Sequence, residues 1–380
     1  MPPNMTSWHY HNPVAVHFGA GCVDALPRIL GGRKAMLVTF PEAAGLGLTG
    51  RLERLLGASL AAIIDNTQAN PDVDGLADLY RDFWSRPDPG DVLVAVGGGS
   101  VLDTAKALMV GTADGSFAAL IALLATGKPF TPHRIKPLIA IPTTAGTGSE
   151  VTPWATIWDR RAGKKYSLHL EETWAEAALV DPALTLSLPA GPTLAAGLDA
   201  LSHALESIWN VNANPVSDTH AVSAARAVLA TLPALIGDLG NLELRRRMSL
   251  AALQAGLAFS NTKTALAHSI SYDMTLRHGL PHGIACSFTL PLVLGRALGA
   301  DAGRDAVLGR IFDGALADAP LRLTAFLEGL GVSTRFDTYG VTPVQADGMI
   351  AAALEGVRGK NFIGARRAAS PQASTEHAAS

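Results

Sequence analysis

The chain has 380 residues, 48% of them hydrophobic and 17% charged, which places it among globular proteins long enough for two packed domains. A formal net charge of −3 provides no concentrated basic face, which excludes a nucleic-acid binder. The two cysteines, Cys22 and Cys286, lie far apart in no ligand-like spacing, which excludes a disulfide framework and fits a reducing, cytoplasmic setting.

Taken from the start, Met1 to Asn12 carries no apolar signal core, and Val14–Gly19, leading to Gly21, reads as an edge strand. Short apolar runs at Ala35–Thr39, Ala61–Asp65, Val92–Val96, Leu138–Ile141 and Ala178–Val180 read as buried strands. Between them, Asp72–Trp84 and Val101–Val110 repeat their apolar residues at three and four, as helices do. The longest apolar stretch, Phe117–Ala125, is about half of the roughly 20 residues a membrane helix needs, so no membrane is expected. Strand–helix alternation predicts a Rossmann-like, doubly wound, mostly parallel α/β domain over residues 1–189.

After Pro189 the periodicity becomes helical, which predicts an all-α domain over 190–367 and a disordered tail over 368–380. Its helices are predicted at Thr193–Trp209, Pro215–Leu235, Leu242–Asn261 and Leu321–Leu330, with Thr193 capping the first.

Val92–Val96 runs into Gly97-Gly98-Gly99-Ser100, with Asp103 and Lys106 on the following helix. A strand, a glycine turn and a helix N-terminus present backbone N–H groups and a positive dipole end to a phosphate. Alone this also fits an ordinary tight turn, since it is neither a P-loop nor a GxGxxG fingerprint. The next strand leads into Pro142-Thr143-Thr144-Ala145-Gly146-Thr147-Gly148-Ser149-Glu150, a second polar loop placed to face a ligand in the crevice of the sheet.

In the helical half, Asp199 and His203 are four apart and share one helix face. His268 and His282 follow, with His278 a competitor only four residues before His282. Three imidazoles and one carboxylate suit Fe²⁺ or Zn²⁺, and the donor types do not choose between them. An Asp–His pair at this spacing is more often a surface ion pair than a metal site, and a lone histidine in an apolar helix is usually a hydrogen-bonded core residue.

Together these segments resemble the iron-containing (group III) alcohol dehydrogenases from about Val14 to about Gly364. The carriers are Phe18-Gly19-x-Gly21, Gly97-Gly98-Gly99-Ser100-x-x-Asp103-x-x-Lys106, Pro142-Thr143-Thr144-x-Gly146-Thr147-Gly148-Ser149-Glu150, Asp199-Ala200-Leu201-x-His203-Ala204-x-Glu206 and Pro281-His282-Gly283. The resemblance implies metal ligands at Asp199, His203, His268 and His282, the last two being fourteen apart as in the family. It implies NADH or NADPH contacts at Gly98, Gly99, Ser100, Asp103, Thr143, Thr144 and Thr147, with Lys164 or Lys165 near the nicotinamide ribose. It also implies a homo-oligomer, a dimer or larger.

Two positions depart from the family. Phe40 stands where many members have an aspartate for the adenosine ribose, so NADPH stays open beside NADH. Tyr272 stands where many have a further histidine, making a phenol the candidate proton relay. Lys263, Arg277 and His278 flank the last two ligands and read as contacts for an anionic aldehyde, or as solvated surface charges. Lys263–Pro281 resembles the branch that reduces phosphonoacetaldehyde to 2-hydroxyethylphosphonate, with succinic semialdehyde and lactaldehyde reductases as alternatives. The more remote rival is a cyclising lyase resembling dehydroquinate synthase.

Overall fold

Strands buried on both faces need no polar alternation, and the apolar runs of the first half assemble on that rule. The computed structural model describes residues 7–365, so the predicted tail over 368–380 lies outside the described residues, as do the first six. In chain order the strands are β1 (Ala15–Phe18), β2 (Ala35–Val38), β3 (Leu60–Ile64), β4 (Val92–Gly97), β5 (Val110–Gly111), β6 (Arg134–Ile135), β7 (Leu138–Pro142), β8 (Trp154–Asp159), β9 (Lys164–His169) and β10 (Ala177–Val180). The first five α-helices are α1 (Leu26–Leu30), α2 (Leu48–Leu56), α3 (Val73–Ser85), α4 (Gly99–Met109) and α5 (Phe117–Ala125). The rest are α6 (Ala190–Ile208), α7 (Pro215–Gly237), α8 (Leu242–Thr262), α9 (Leu266–His278), α10 (His282–Ser287), α11 (Leu290–Ala297), α12 (Ala302–Leu308), α13 (Ala319–Gly329) and α14 (Pro343–Glu355).

Six strands form one parallel sheet in the order β3-β2-β4-β7-β10-β1, with β1 at the edge. Alternate residues divide between its two faces. Ala35 and Leu37 pack with Leu26, Leu30 and Leu52 of α1 and α2, whereas Met36 and Val38 pack with Tyr80 of α3 and Leu102 and Leu108 of α4. Chain direction across the sheet reverses between β2 and β4, so the glycine turn after β4 opens at a topological switch point, where α/β sheets bind ligands.

From Ala190 onward the described residues are helical, around a core that includes Leu201, Leu205, Val228, Leu232, Ala255 and Ile270. Thr193 is not the cap of α6. The helix starts three residues earlier, after Pro189, and Thr193 lies within its first turn, donating its hydroxyl to the Leu188 carbonyl at 3.2 Å and accepting from Arg245 at 2.9 Å. Pro192 falls in the same turn, where a missing N–H costs no helical hydrogen bond. Helix α7 is long and apolar enough to cross a membrane by composition alone, but here Ala221, Val228 and Leu232 lie in the helical core, between α6 and α8.

The antiparallel hairpin of β8 and β9 was not predicted. It is tied to α4. The fully buried Lys106 ammonium shares its three N–H groups among four oxygens, the Ser149 carbonyl and hydroxyl at 2.6 and 2.8 Å and the Thr152 and Trp154 carbonyls at 2.8 Å each. Asp103 accepts from the Ser149 hydroxyl at 3.2 Å and the Thr156 N–H at 3.1 Å. Burial lowers Lys106 to about 8, against the pull of Asp103 and Glu150. Replacing Lys106 with Met strands these acceptors and an uncompensated Asp103, and should cost about 3 kcal/mol of stability. Urea unfolding reads this directly, and an unchanged midpoint would show the clamp to be dispensable.

Candidate metal centre and nucleotide crevice

Helical spacing places Asp199, His203 and Glu206 on one side of α6, all of them buried. Helix α9 brings His268 over the same point, and α10 opens with His282. One oxygen, Asp199 Oδ1, faces the Nε2 atoms of His268 at 3.5 Å, His203 at 3.8 Å and His282 at 3.9 Å. Asp199 Oδ1 and His268 Nε2 are buried with no hydrogen-bond partner in the protein. Orphaned polar atoms in a protein interior are costly, and ligand bonds of about 2.0–2.2 Å from several nitrogens and one carboxylate to a shared cation would satisfy them. The four residues therefore fit a metal.

At Asp199 and His203 the electrostatics suit ligation. Burial opposes ionisation of Asp199, but the rings of His203, His268 and His282 hold its carboxyl well below the usual range. Burial drives the His203 imidazole down to about 4 despite Asp199, leaving the neutral, lone-pair-bearing form. His203 also stacks on Phe259, with centroids 4.0 Å apart, which holds its ring orientation.

Glu206 locks His268. Its carboxylate accepts from the N–H groups of Ala265, Ala267 and His268 at 2.9, 2.6 and 3.2 Å and lies 2.6 Å from His268 Nδ1. A proton on Nδ1 leaves the Nε2 lone pair aimed at Asp199. The motif that contains Glu206 does not reveal this role, although seven residues past Asp199 is two helical turns and the same face. Gly283 lets α10 approach, since a Cβ there would lie 1.8 Å from the Ala195 carbonyl oxygen of α6.

Around the glycine turn, the two predicted cofactor loops touch. A Cβ on Gly99 would lie 2.7 Å from the Thr147 methyl, and one on Gly98 3.3 Å from that of Thr144. Glycine is thus needed for loop contact as well as for access to the α4 N-terminus. Gly98, Gly99, Ser100, Thr144 and Thr147 are partly exposed on this crevice. Thr143 is buried, its N–H donating to the Gly97 carbonyl at 2.9 Å. Asp103 uses one hydrogen bond at each carboxylate oxygen, to Ser149 and Thr156, and so braces the hairpin beside the crevice. Phe40 packs against the sheet core at the end of β2. Beyond Ser100, an open groove is lined by Asn66, Thr67, Gln68 and Pro71 among others.

Of the paired lysines on β9, Lys164 points to solvent and Lys165 into the cleft, as strand alternation requires. Lys165 Nζ lies 4.2 Å from the Tyr272 ring centroid, and the Arg358 guanidinium lies 4.9 Å from it. Tyr272 is one turn past His268 on α9. Burial, with Arg358 adding to it, lowers Lys165 to about 7, and burial lowers Arg358 to about 10 against Glu206. Arg277 is elsewhere. Nine residues past His268 is about two and a half turns, so it projects from the opposite side of α9, 75% exposed and paired with Asp273 at 3.3 Å. His278 ends α9, and the exposed Lys263 sits over the Trp154 ring at 5.8 Å. No sequence signal marked Arg358, which lies in the turn after α14.

The model of the family described as iron-containing alcohol dehydrogenase matches residues 13–182, and that of its C-terminal part matches residues 193–369. Sulfoacetaldehyde reductase of Bilophila wadsworthia is 30% identical over 88% of each chain, and NAD-dependent methanol dehydrogenase of Bacillus methanolicus is 34% identical over 74% of each. Among solved structures, sulfoacetaldehyde reductase of Bifidobacterium kashiwanohense in complex with NAD⁺ superposes with a TM-score of 0.85, at 29% identity over 94% of each chain. An iron-containing alcohol dehydrogenase of Thermotoga maritima superposes with a TM-score of 0.79, at 30% identity over 94% of this chain and 95% of that one.

Proposed function

This chain belongs to the iron-containing alcohol dehydrogenase family, and from that premise we propose that it reduces a small anionic aldehyde to a primary alcohol. Asp199, His203, His268 and His282 would hold the metal. A divalent iron or zinc ion there supplies Lewis acidity toward the substrate oxygen, and NADH or NADPH supplies the hydride. Gly98, Gly99 and Ser100 offer backbone N–H groups to the pyrophosphate, with Thr143, Thr144 and Thr147 beside them. The groove at Asn66 and Pro71 takes the adenosine half, where Phe40 offers the ribose no carboxylate.

The observation that carries the substrate reading is the pair of cations, Lys165 and Arg358, set against Tyr272 one turn from His268. Both are partly accessible, so they can grip an anion at the far end of a short aldehyde. Tyr272, one turn past His268, would pass a proton to the product oxygen from its neutral phenol. Sulfonate, phosphonate and carboxylate all fit this grip. The sulfoacetaldehyde reductases named above support the class, and phosphonoacetaldehyde, giving 2-hydroxyethylphosphonate, belongs to it.

Changing Lys165 or Arg358 to Ala should raise the Michaelis constant for sulfoacetaldehyde and phosphonoacetaldehyde about 10- to 100-fold, the worth of a charge-assisted hydrogen bond. Propanal should be almost unaffected. For the anionic aldehydes the constant should also climb as pH rises through about 7, since Lys165 holds an anion only while protonated. Equal losses on charged and neutral aldehydes would defeat the reading.

A further inference from the structure

Cys286 lies on α10 one helical turn past His282, on the same face, and is fully buried. Its Sγ is 3.5 Å from His282 Nε2. Asp199, His268, His282 and Cys286 each present one donor atom, and all four atoms lie within 4.8 Å of one another. Asp199 and His268, each 3% exposed, aim partnerless atoms into this cluster, so it is more than a thiol beside a histidine.

We propose that Cys286 binds the resident metal as a thiolate, giving this chain a nitrogen, oxygen and sulfur donor set. The proposal rests on the reading that Asp199, His203, His268 and His282 hold that metal. Binding exchanges the thiol proton for a metal–sulfur bond and releases the proton to solvent. A thiolate donor favours zinc or ferrous iron over harder ions such as magnesium or manganese. The distant Cys22, hydrogen-bonded through its Sγ to the His17 carbonyl at 3.6 Å, takes no part.

The test uses the full chain, stripped with a chelator and reloaded with one equivalent of Co²⁺. The wild type should show a thiolate-to-cobalt charge-transfer absorption in the near ultraviolet beside the visible cobalt bands. Cys286→Ser should lose the first, keep the visible bands, and bind cobalt at the same stoichiometry; Cys22→Ser should retain both. X-ray absorption of the zinc-loaded wild type should contain one sulfur at about 2.3 Å, which decides the matter even if the serine variant misfolds. Visible bands without sulfur absorption, with only nitrogen and oxygen around zinc, would overturn the thiolate and leave the four-residue centre standing. A wild type that takes up no cobalt would overturn both.

Discussion

Replacing His268 with Ala should empty the metal centre and lower turnover by about 10⁴-fold, the scale set by several kcal/mol of lost Lewis-acid stabilisation. The substitution removes an Nε2 atom 3.5 Å from Asp199 Oδ1 and leaves the Glu206 carboxylate buried without its ring partner. Nucleotide binding should survive, because the crevice is built by the turn after β4 and the loop after β7, on the sheet rather than on α9. The check is metal content after dialysis, with NADH affinity by fluorescence on the same sample. Full metal occupancy in the variant would mean that His268 is not needed to hold the ion.

What the sequence made legible follows from what its periodicities report. The strands of the main sheet were visible because β2, β4 and β7 are buried on both faces and read as unbroken apolar runs. The hairpin of β8 and β9 was not, since Lys164–His169 is mostly polar and only partly buried. It is held by Lys106 and Asp103 of α4 together with Ala155, Ile157 and Leu168, which are buried in the core beside the sheet. Within the centre, spacing joined Asp199 to His203, but only the family resemblance joined them to His268 and His282, as no local pattern measures the distance between helices. The same one-turn test, applied after His282 instead of before it, would have singled out Cys286. Arg277 shows the converse. It is near the ligands in sequence and half a turn out of phase in space, while Arg358, 90 residues past His268, reaches Tyr272.

Glu206 shows how much of the centre depends on a residue that would touch no metal. Glu206→Gln should weaken metal binding about 10- to 100-fold, as losses of a histidine's orienting partner generally do. The amide retains one oxygen for the N–H groups of Ala265, Ala267 and His268, but turns an NH₂ toward either a backbone donor or His268 Nδ1–H. The tautomer that aims Nε2 at Asp199 is then no longer favoured. Glu206→Ala removes every acceptor from a fully buried pocket and should cost a further 3 kcal/mol or more, about the cost of breaking a buried pair. Stability should also depend on pH in a defined direction. Burial opposes ionisation, but His268 and the backbone N–H groups hold Glu206 below the usual carboxylate range. Its contribution is therefore present above the unfolded carboxylate pKa and lost as pH falls through the lower folded value, a slope both variants should lack. Metal affinity by competition with a chelator, beside thermal melts of the stripped proteins, separates positioning from packing. A Gln variant that melts earlier yet binds metal as tightly as the wild type would reduce Glu206 to a structural plug.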